Sequence, residues 1–358
     1  MRMRNLMKAT FLALSLLPFV LVAGNLPALA AAPQVRTQGP GFYRIMLGEF
    51  EVTALLDGTH RFPAYQVLAR ARPAAPGANG SQELLSSANP GQIEAALAAV
   101  DLRAPPEGSI NAFLINTGTK LILIDTGAGA LYGACCGRLL QNLHAAGYQP
   151  EQVDEVLLTH LHEDHVGGAI VDGKIAFPNA VIRVSKRDAD YWVNDANEEA
   201  APTFLVPMFE GAKRVLRPYI ASGQFQPFED GADLAPGIRA IATPGHSPGH
   251  SSYMVESRGQ KLLVWGDIVH VAPIQFPDPG VTTTYDSDPG SAERQRDAMF
   301  ADAAQEGYWV GAAHITFPGL GQVCIRDAHF IWIPSEYTTD PGARSIVEDG
   351  PGQALKHM

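Results

Sequence analysis

Thr159-His160-Leu161-His162-Glu163-Asp164-His165-Val166-Gly167-Gly168 is the stretch on which the reading of this chain turns. Three imidazoles and a carboxylate, Asp164, fall within six positions, and burying such polar groups without partners costs free energy that packing does not return. Metal binding is the natural compensation. The preceding apolar run Val156-Leu157-Leu158 reads as a buried strand, and Gly167-Gly168 suits a tight turn where backbone approaches a site. The ligands are therefore expected on a loop at the end of a strand.

Working outward, the N-terminus has a different character. Arg2, Arg4 and Lys8 precede a nearly continuous apolar run from Ala9 to Gly24, and Ala28-Leu29-Ala30 has the small-x-small form of a signal-peptidase site. Residues 1–32 are expected to be a signal peptide and 33–358 a single domain, exported and, in a Gram-negative source, periplasmic. No cysteine lies near the cleavage site and no later run is long enough to span a bilayer, so no stable membrane anchor is expected. The formal charge is −11, from 26 basic and 37 acidic residues. Losing three basic residues with the leader makes the balance more acidic still, which argues against a nucleic-acid partner. Cys135, Cys136 and Cys324 are too few for a disulfide framework. Small buried thiols are the plain reading; a vicinal bridge or soft ligation is the alternative for Cys135-Cys136, and no pairing is assigned.

Tyr43 to Leu56 reads as a β-hairpin turned at Leu47-Gly48 and ended by Asp57-Gly58. Residues 60–108, rich in Ala, Pro, Gly and Ser with a helical pattern near Ile93 to Val100, form a long excursion of the kind that covers a site. Ile110 to Asn116 and Lys120 to Asp125 pair as a second hairpin. Arg138 to Ala146 is helical with Gly147 as its stop, and Val153 to Leu158 returns as a strand into the histidines. Further on, Ala180 to Val184 is a strand, Lys186 to Asn194 starts a helix, and Ala200 to Phe209, interrupted by proline, reads as irregular. Gln226 to Phe228, Ile238 to Thr243, Tyr253 to Glu256 and Lys261 to Trp265 read as strands, and Ala292 to Glu306 as a helix before Trp309 to Ala313. Four apolar strands thus end on candidate ligands: the His160 group, His246, Asp267 and His314. Ligands gathered at the ends of neighbouring strands are what a layered α/β protein with one site shows.

Zinc accepts imidazole nitrogen and carboxylate oxygen, and an open position on it brings the pKa of bound water to about 7. His160 and His162, two apart in an extended loop, project the same way; Asp164 and His165 can turn to a second ion. Seven candidate ligands suit two metals better than one, with Asp267, which has two oxygens, as the natural bridge.

The series His160-x-His162-x-Asp164-His165, His246, Asp267 and His314 resembles the metallo-β-lactamase superfamily of dinuclear metallohydrolases, in order from about Gly41 to Trp332. The resemblance implies an αββα sandwich, two Zn(2+) or other divalent ions, one held by His160, His162 and His246, the other by Asp164, His165 and His314, with Asp267 bridging. Leu131-Tyr132-Gly133, Ala145 to Pro150 and His314 to Gly319 are similar to the methyl parathion hydrolase-like branch of arylesterases, lactonases and phosphotriesterases. That likeness places Tyr132, Trp192, Phe209, His270 and Tyr285 around an apolar substrate pocket, sets Asp125 behind a ligand histidine, and implies a homodimer. His60, His144, His329 and His357 have no motif around them and are read as solvated or locally satisfied; His250 is a candidate to support a ligand.

The expected activity is hydrolysis of a small, uncharged aryl ester or lactone, with promiscuous cleavage of phosphotriesters. Asp267 would bridge the ions and Asp164 pass a proton to the leaving oxygen. Tyr132, His270 and Tyr285 make the pocket more polar than efficient phosphotriester cleavage favours. A β-lactamase is the runner-up, disfavoured because those relatives lack a bridging aspartate at the position of Asp267. The other class is a non-catalytic exported metal- or ligand-binding protein, against which the complete ligand set counts.

Overall fold

A computed structural model describes residues 32, 34–72 and 81–341, and the architecture below belongs to the unit that begins at Pro40. Residues 1–31 of the expected leader, and His357, lie outside the described residues.

Two sheets organise the chain. The first runs, in spatial order, Phe42–Leu47, Phe50–Arg61, Glu107–Asn116, Leu121–Ile124, Glu155–Leu157 and Val181–Arg183. Its first four strands are antiparallel neighbours and the last two join in parallel. The second runs Asp233–Ala235, Ile238–Ala242, Ser251–Ser257, Gln260–Val264, Trp309–Gly311, Leu320–Arg326 and His329–Pro334. Every pairing in it is antiparallel except that of Gln260–Val264 with Trp309–Gly311.

Strand side chains alternate between faces, so a strand buried on both sides reads as continuously apolar. That is the case here. Phe113, Ile115, Ile122, Ile124 and Leu157 pack between the sheets against Tyr253, Val255, Leu262 and Val264. Their neighbours Leu114, Leu123, Val156 and Leu158 face the other way, onto a layer that includes Leu139, Leu143, Val215 and Leu216. On the far side, Leu263, Val310 and Val323 meet Phe300 and Ala303 of the helix Pro289–Glu306. The layers are therefore helix, sheet, sheet, helix, the sandwich that the ligand series implied.

The hairpin forms with Leu47 opposite Phe50, but its second strand continues through Gly58 to Arg61, with a register shift between Leu56 and Gly58. The excursion is more ordered than its composition suggests: Gln92–Ala98 is a helix, and Leu68–Arg72 pairs with Ser81–Leu84 and Val281–Thr283. The stretch read as irregular at Ala200 to Phe209 instead enters a sixteen-residue helix, Val206–Ala221. Pro207 lies in its first turn, where a missing N–H costs nothing. Gln226 to Phe228 is not a strand; it contributes an isolated bridge from Phe228 to Ser185. Among the described residues no helix is long and apolar enough to cross a membrane.

Candidate metal centre

Four strands deliver the cluster. His160 follows Glu155–Leu157 of the first sheet; His246, Asp267 and His314 follow Ile238–Ala242, Gln260–Val264 and Trp309–Gly311 of the second. These three strands run in one direction, because the two antiparallel steps between the first pair cancel and the next step is parallel. Their C-terminal ends therefore share an edge.

Two sets of donor atoms gather there, all buried: His160, His162, His246 and Asp267, and Asp164, His165 and His314. Asp267 joins them. Its Oδ1 lies 3.0 Å from both His165 Nε2 and His314 Nε2, and its Oδ2 lies 3.1 Å from His246 Nε2 and 3.8 Å from His160 Nε2. Asp164 Oδ2 is 3.4 Å from His314 Nε2. His270 also reaches the bridging carboxylate, with Nε2 3.1 Å from Asp267 Oδ2.

The opposite nitrogen of most of these rings is already engaged, which fixes the tautomer and aims the ring. His165 Nδ1–H donates to Asp125 Oδ2 at 2.9 Å, His246 Nδ1–H to Asp286 Oδ1 at 2.7 Å, and His314 Nδ1–H to the Ser109 carbonyl at 3.0 Å. His160 Nδ1 meets Thr159 Oγ1 at 3.1 Å, and that hydroxyl in turn donates to Asp125. Asp125 thus supports the cluster as the sequence suggested. So does His250: its Nε2 accepts the Asp267 backbone N–H at 3.0 Å, leaving Nδ1–H to donate to Thr243 Oγ1. Burial brings the His250 pKa to about 3, consistent with that neutral form.

Burial and neighbouring imidazoles hold His160 and His162 well below the ordinary histidine value, so both present lone pairs. Burial pushes the Asp267 carboxyl up, but His165, His314, His270 and His246 outweigh it and hold it well below the usual range. Among the described residues His160 Nε2, His165 Nε2 and Asp267 Oδ1 are buried without a partner in hydrogen-bonding alignment, even though Asp267 Oδ1 and His165 Nε2 are only 3.0 Å apart. His162 Nδ1 and His246 Nε2 face each other 3.0 Å apart. Burial lowers the His246 pKa, yet Asp267 and Asp286 push it up to about 9; a proton or a metal ion is what reconciles the facing nitrogens. Unpartnered buried donors of imidazole and carboxylate type, in two sets sharing one carboxylate, fit a pair of divalent ions.

A cavity of about 300 Å³ opens on the cluster, walled by His60, Phe62, Tyr132, Met208, His270 and Tyr285. Tyr132, His270 and Tyr285 are thus brought together on the wall of this cavity. Trp192 and Phe209 are not: they are 2% and 0% exposed and packed against each other, ring centroids 4.5 Å apart and planes tilted by 49°. Phe209 faces the core and its neighbour Met208 faces the cavity. Trp192 meets His162 in a T-shaped contact and donates Nε1–H to Ser247 Oγ at 3.0 Å, so it supports the centre from behind.

His60, read as solvated or locally satisfied, is a wall residue, because the strand Phe50–Arg61 outruns the hairpin and turns His60 and Phe62 toward Tyr132 and His270. The alternation His60-x-Phe62 was the available signal. Two further carboxylates carried none: Asp286, behind His246, and Asp188, which accepts from the Leu161 and Gly249 amides and the Ser247 hydroxyl. His144 and His329 are exposed, as expected.

The fold and this cluster define a class, and the chain belongs to it: the sequence model of the metallo-beta-lactamase superfamily matches residues 105–310. Among solved structures, a protein described as hydrolase AbOPH in the beta lactamase superfamily is 36% identical, with a TM-score of 0.75, over 84% of this chain and 100% of that one. AidC, described as a dizinc quorum-quenching lactonase in complex with a homoserine product, is 28% identical, with a TM-score of 0.69, over 83% and 98%. The N-acyl homoserine lactonases of Bacillus cereus and Bacillus thuringiensis are 29% and 31% identical over 36% and 35% of this chain. The chain matches 42% and 43% of the length of those curated relatives.

Proposed function

We propose that this protein is an exported dinuclear zinc hydrolase that opens lactones and cleaves uncharged aryl esters, with weak phosphotriester cleavage as a side activity. The observation that carries the reading is the pair of buried donor sets sharing Asp267 at the floor of a cavity of about 300 Å³. Zinc is supported by the imidazole-rich donor set and by the dizinc description of AidC. His160, His162 and His246 would hold one ion, Asp164, His165 and His314 the other, and Asp267 both. Such a pair supplies Lewis acidity and a nucleophile at neutral pH.

The rest is done by the chain's own groups. Asp164, on the cavity wall, takes the proton that the attacking water gives up and passes it to the leaving oxygen; in a lactone that oxygen stays tethered to the acyl carbon chain. Burial and the nearby Asp164 raise the Tyr132 pKa well above the ordinary phenol value, and that of Tyr285 rises for the same reasons. Both hydroxyls therefore keep their protons and donate to carbonyl or ring oxygens of the substrate. His270 Nδ1, buried without a partner, offers a third polar group. Phe62 and Met208 give the apolar body of the substrate somewhere to lie and exclude water. This balance of walls favours esters and lactones over phosphotriesters, and lactone names among the relatives point the same way.

Export rests on the basic start, apolar run and small-x-small site of residues 1–32; a homodimer rests on the family likeness alone. The test is a panel on zinc-loaded protein comparing kcat/KM for acyl-homoserine lactones, δ-lactones, aryl esters, nitrocefin and methyl parathion. Lactones and aryl esters should lead, with turnover lost on chelation and restored by zinc. A lead for nitrocefin, or full activity in a metal-free preparation, would overturn the reading; metal binding with no turnover of any of these would favour the non-catalytic alternative.

A further inference from the structure

The loop between Gly127 and Leu139 carries Tyr132 into the cavity, and it is fastened at both ends to one buried carboxylate. Asp57 Oδ2 accepts from the Ala128 amide at 2.9 Å and the Gly137 amide at 3.0 Å, and Oδ1 accepts from the Leu139 amide at 3.1 Å. The Asp57 carbonyl also takes the Arg138 amide at 2.9 Å. Between those ends, Cys135 and Cys136 are bonded to each other. The pair is partly exposed, so the plain reading of buried thiols does not hold.

The bonded pair sits directly on the strand that bears His60. A methyl group built on Gly58 would come within 2.3 Å of the Cys135 carbonyl and 2.7 Å of the Cys136 Cα, so only glycine allows the approach. On its other side, Cys135 Sγ lies 3.4 Å from the Tyr132 carbonyl. A sulfur in a disulfide carries no hydrogen, so this is packing; a free Cys135 thiol would instead have that carbonyl to donate to. Gly58, the two cysteines and Tyr132 form one continuous stack that ends at the cavity wall.

We propose that the Cys135–Cys136 bond is a positioning device for Tyr132: closed, it holds the loop in the shape that presents the tyrosine to substrate, and opened, it releases that shape. Opening takes two electrons and two protons. A dithiol reductant supplies them and leaves as its own disulfide, and the protein keeps two thiols. The metal ligands lie outside the loop, so the effect falls on substrate binding. The proposal rests on the reading of the cavity as a substrate pocket, and export would keep the bond closed.

The experiment has two arms on the full-length mature protein. In the first, amide hydrogen exchange over residues 128–139 is compared before and after treatment with a dithiol reductant in excess zinc, with maleimide labelling, after the reductant is removed, to count thiols. Labelling should rise from one thiol, Cys324, to three, and exchange across the loop should speed up while that of residues 156–168 stays unchanged. Absence of the bond in the purified protein, or unchanged exchange after reduction, overturns the proposal whatever the activity. In the second arm, reduction and the Cys135→Ala/Cys136→Ala variant should each raise KM about three- to tenfold, the scale of a single hydrogen bond to substrate, with kcat within about twofold. In a Tyr132→Ala background reduction should add nothing; a KM effect that persists there overturns the assignment to Tyr132. If the loop loosens but no substrate of the panel is turned over, the functional reading fails and the positioning role stands.

Discussion

Asp188 tests how the centre is held. Its Oδ2 accepts from the Leu161 amide at 2.8 Å, between His160 and His162; its Oδ1 accepts from the Gly249 amide at 3.0 Å and from the hydroxyl of Ser247, next to His246. One carboxylate thus ties together the two loops that supply the three histidines of one half. In Asp188→Asn one acceptor oxygen remains, and the amide NH2 must face a backbone N–H whichever way it turns. An unpaired buried N–H costs about 1–3 kcal/mol. Against this, burial has already pushed the Asp188 pKa up to about 6. Ionisation of the aspartate at neutral pH therefore costs the fold on the order of 3 kcal/mol, which the neutral asparagine does not incur. The two effects nearly cancel, so metal-free Asp188→Asn should unfold in urea within about 2 kcal/mol of the parent. The loops, however, lose their common anchor. Zinc affinity measured by chelator competition should fall about 10- to 100-fold. Affinity within twofold of the parent would refute the positioning role, and a loss of about 4 kcal/mol or more in the metal-free protein would show the carboxylate to be structural.

Three further outcomes are expected. Asp286→Asn leaves His246 without a charged acceptor for Nδ1–H, and zinc affinity should drop about 10-fold or more by the same assay, with little change in a metal-free melt. Tyr219 donates to the Ala169 carbonyl at 2.9 Å, and burial puts its pKa at about 12, above the unfolded value of 10.0. The folded state keeps that proton longer, so its contribution is full below pH 10 and is lost as pH rises toward 12; Tyr219→Phe should close about 2 kcal/mol of its stability gap between pH 8 and 11.5 in urea melts. A constant gap would contradict it. Stripping metal should lower the unfolding free energy by about 4 kcal/mol relative to protein in zinc at about 1,000 times the dissociation constant, read as a fall in melting temperature.

The sequence showed most of what repeats and little of what happens once. Strands buried on both faces announce themselves by unbroken apolar runs such as Leu121–Ile124, and the ligands by crowding of imidazoles in one loop. The helix Val206–Ala221 was hidden because Pro202 and Pro207 made the stretch Ala200 to Phe209 read as irregular. Pro202 lies before it and Pro207 in its first turn, where a proline is tolerated; only Pro218 sits beyond that turn, and tertiary packing of Val215, Leu216 and Tyr219 outweighs that defect. Trp192 and Phe209 were misplaced for a related reason: without the helix, nothing said which of Met208 and Phe209 would face the core. Asp188 and Asp286 are single carboxylates whose role depends on loops more than 25 residues away in the chain, and no local pattern encodes that.

The division of the ligands between the sheets has a mechanical consequence. His160, His162, Asp164 and His165 hang from one sheet; His246, Asp267 and His314 hang from the other. Bound ions would therefore act as rivets across a seam, and neither half of the sandwich could slide or splay without tearing the centre apart. Loss of metal and separation of the halves should then be one cooperative event, and the centre should be among the last features to yield.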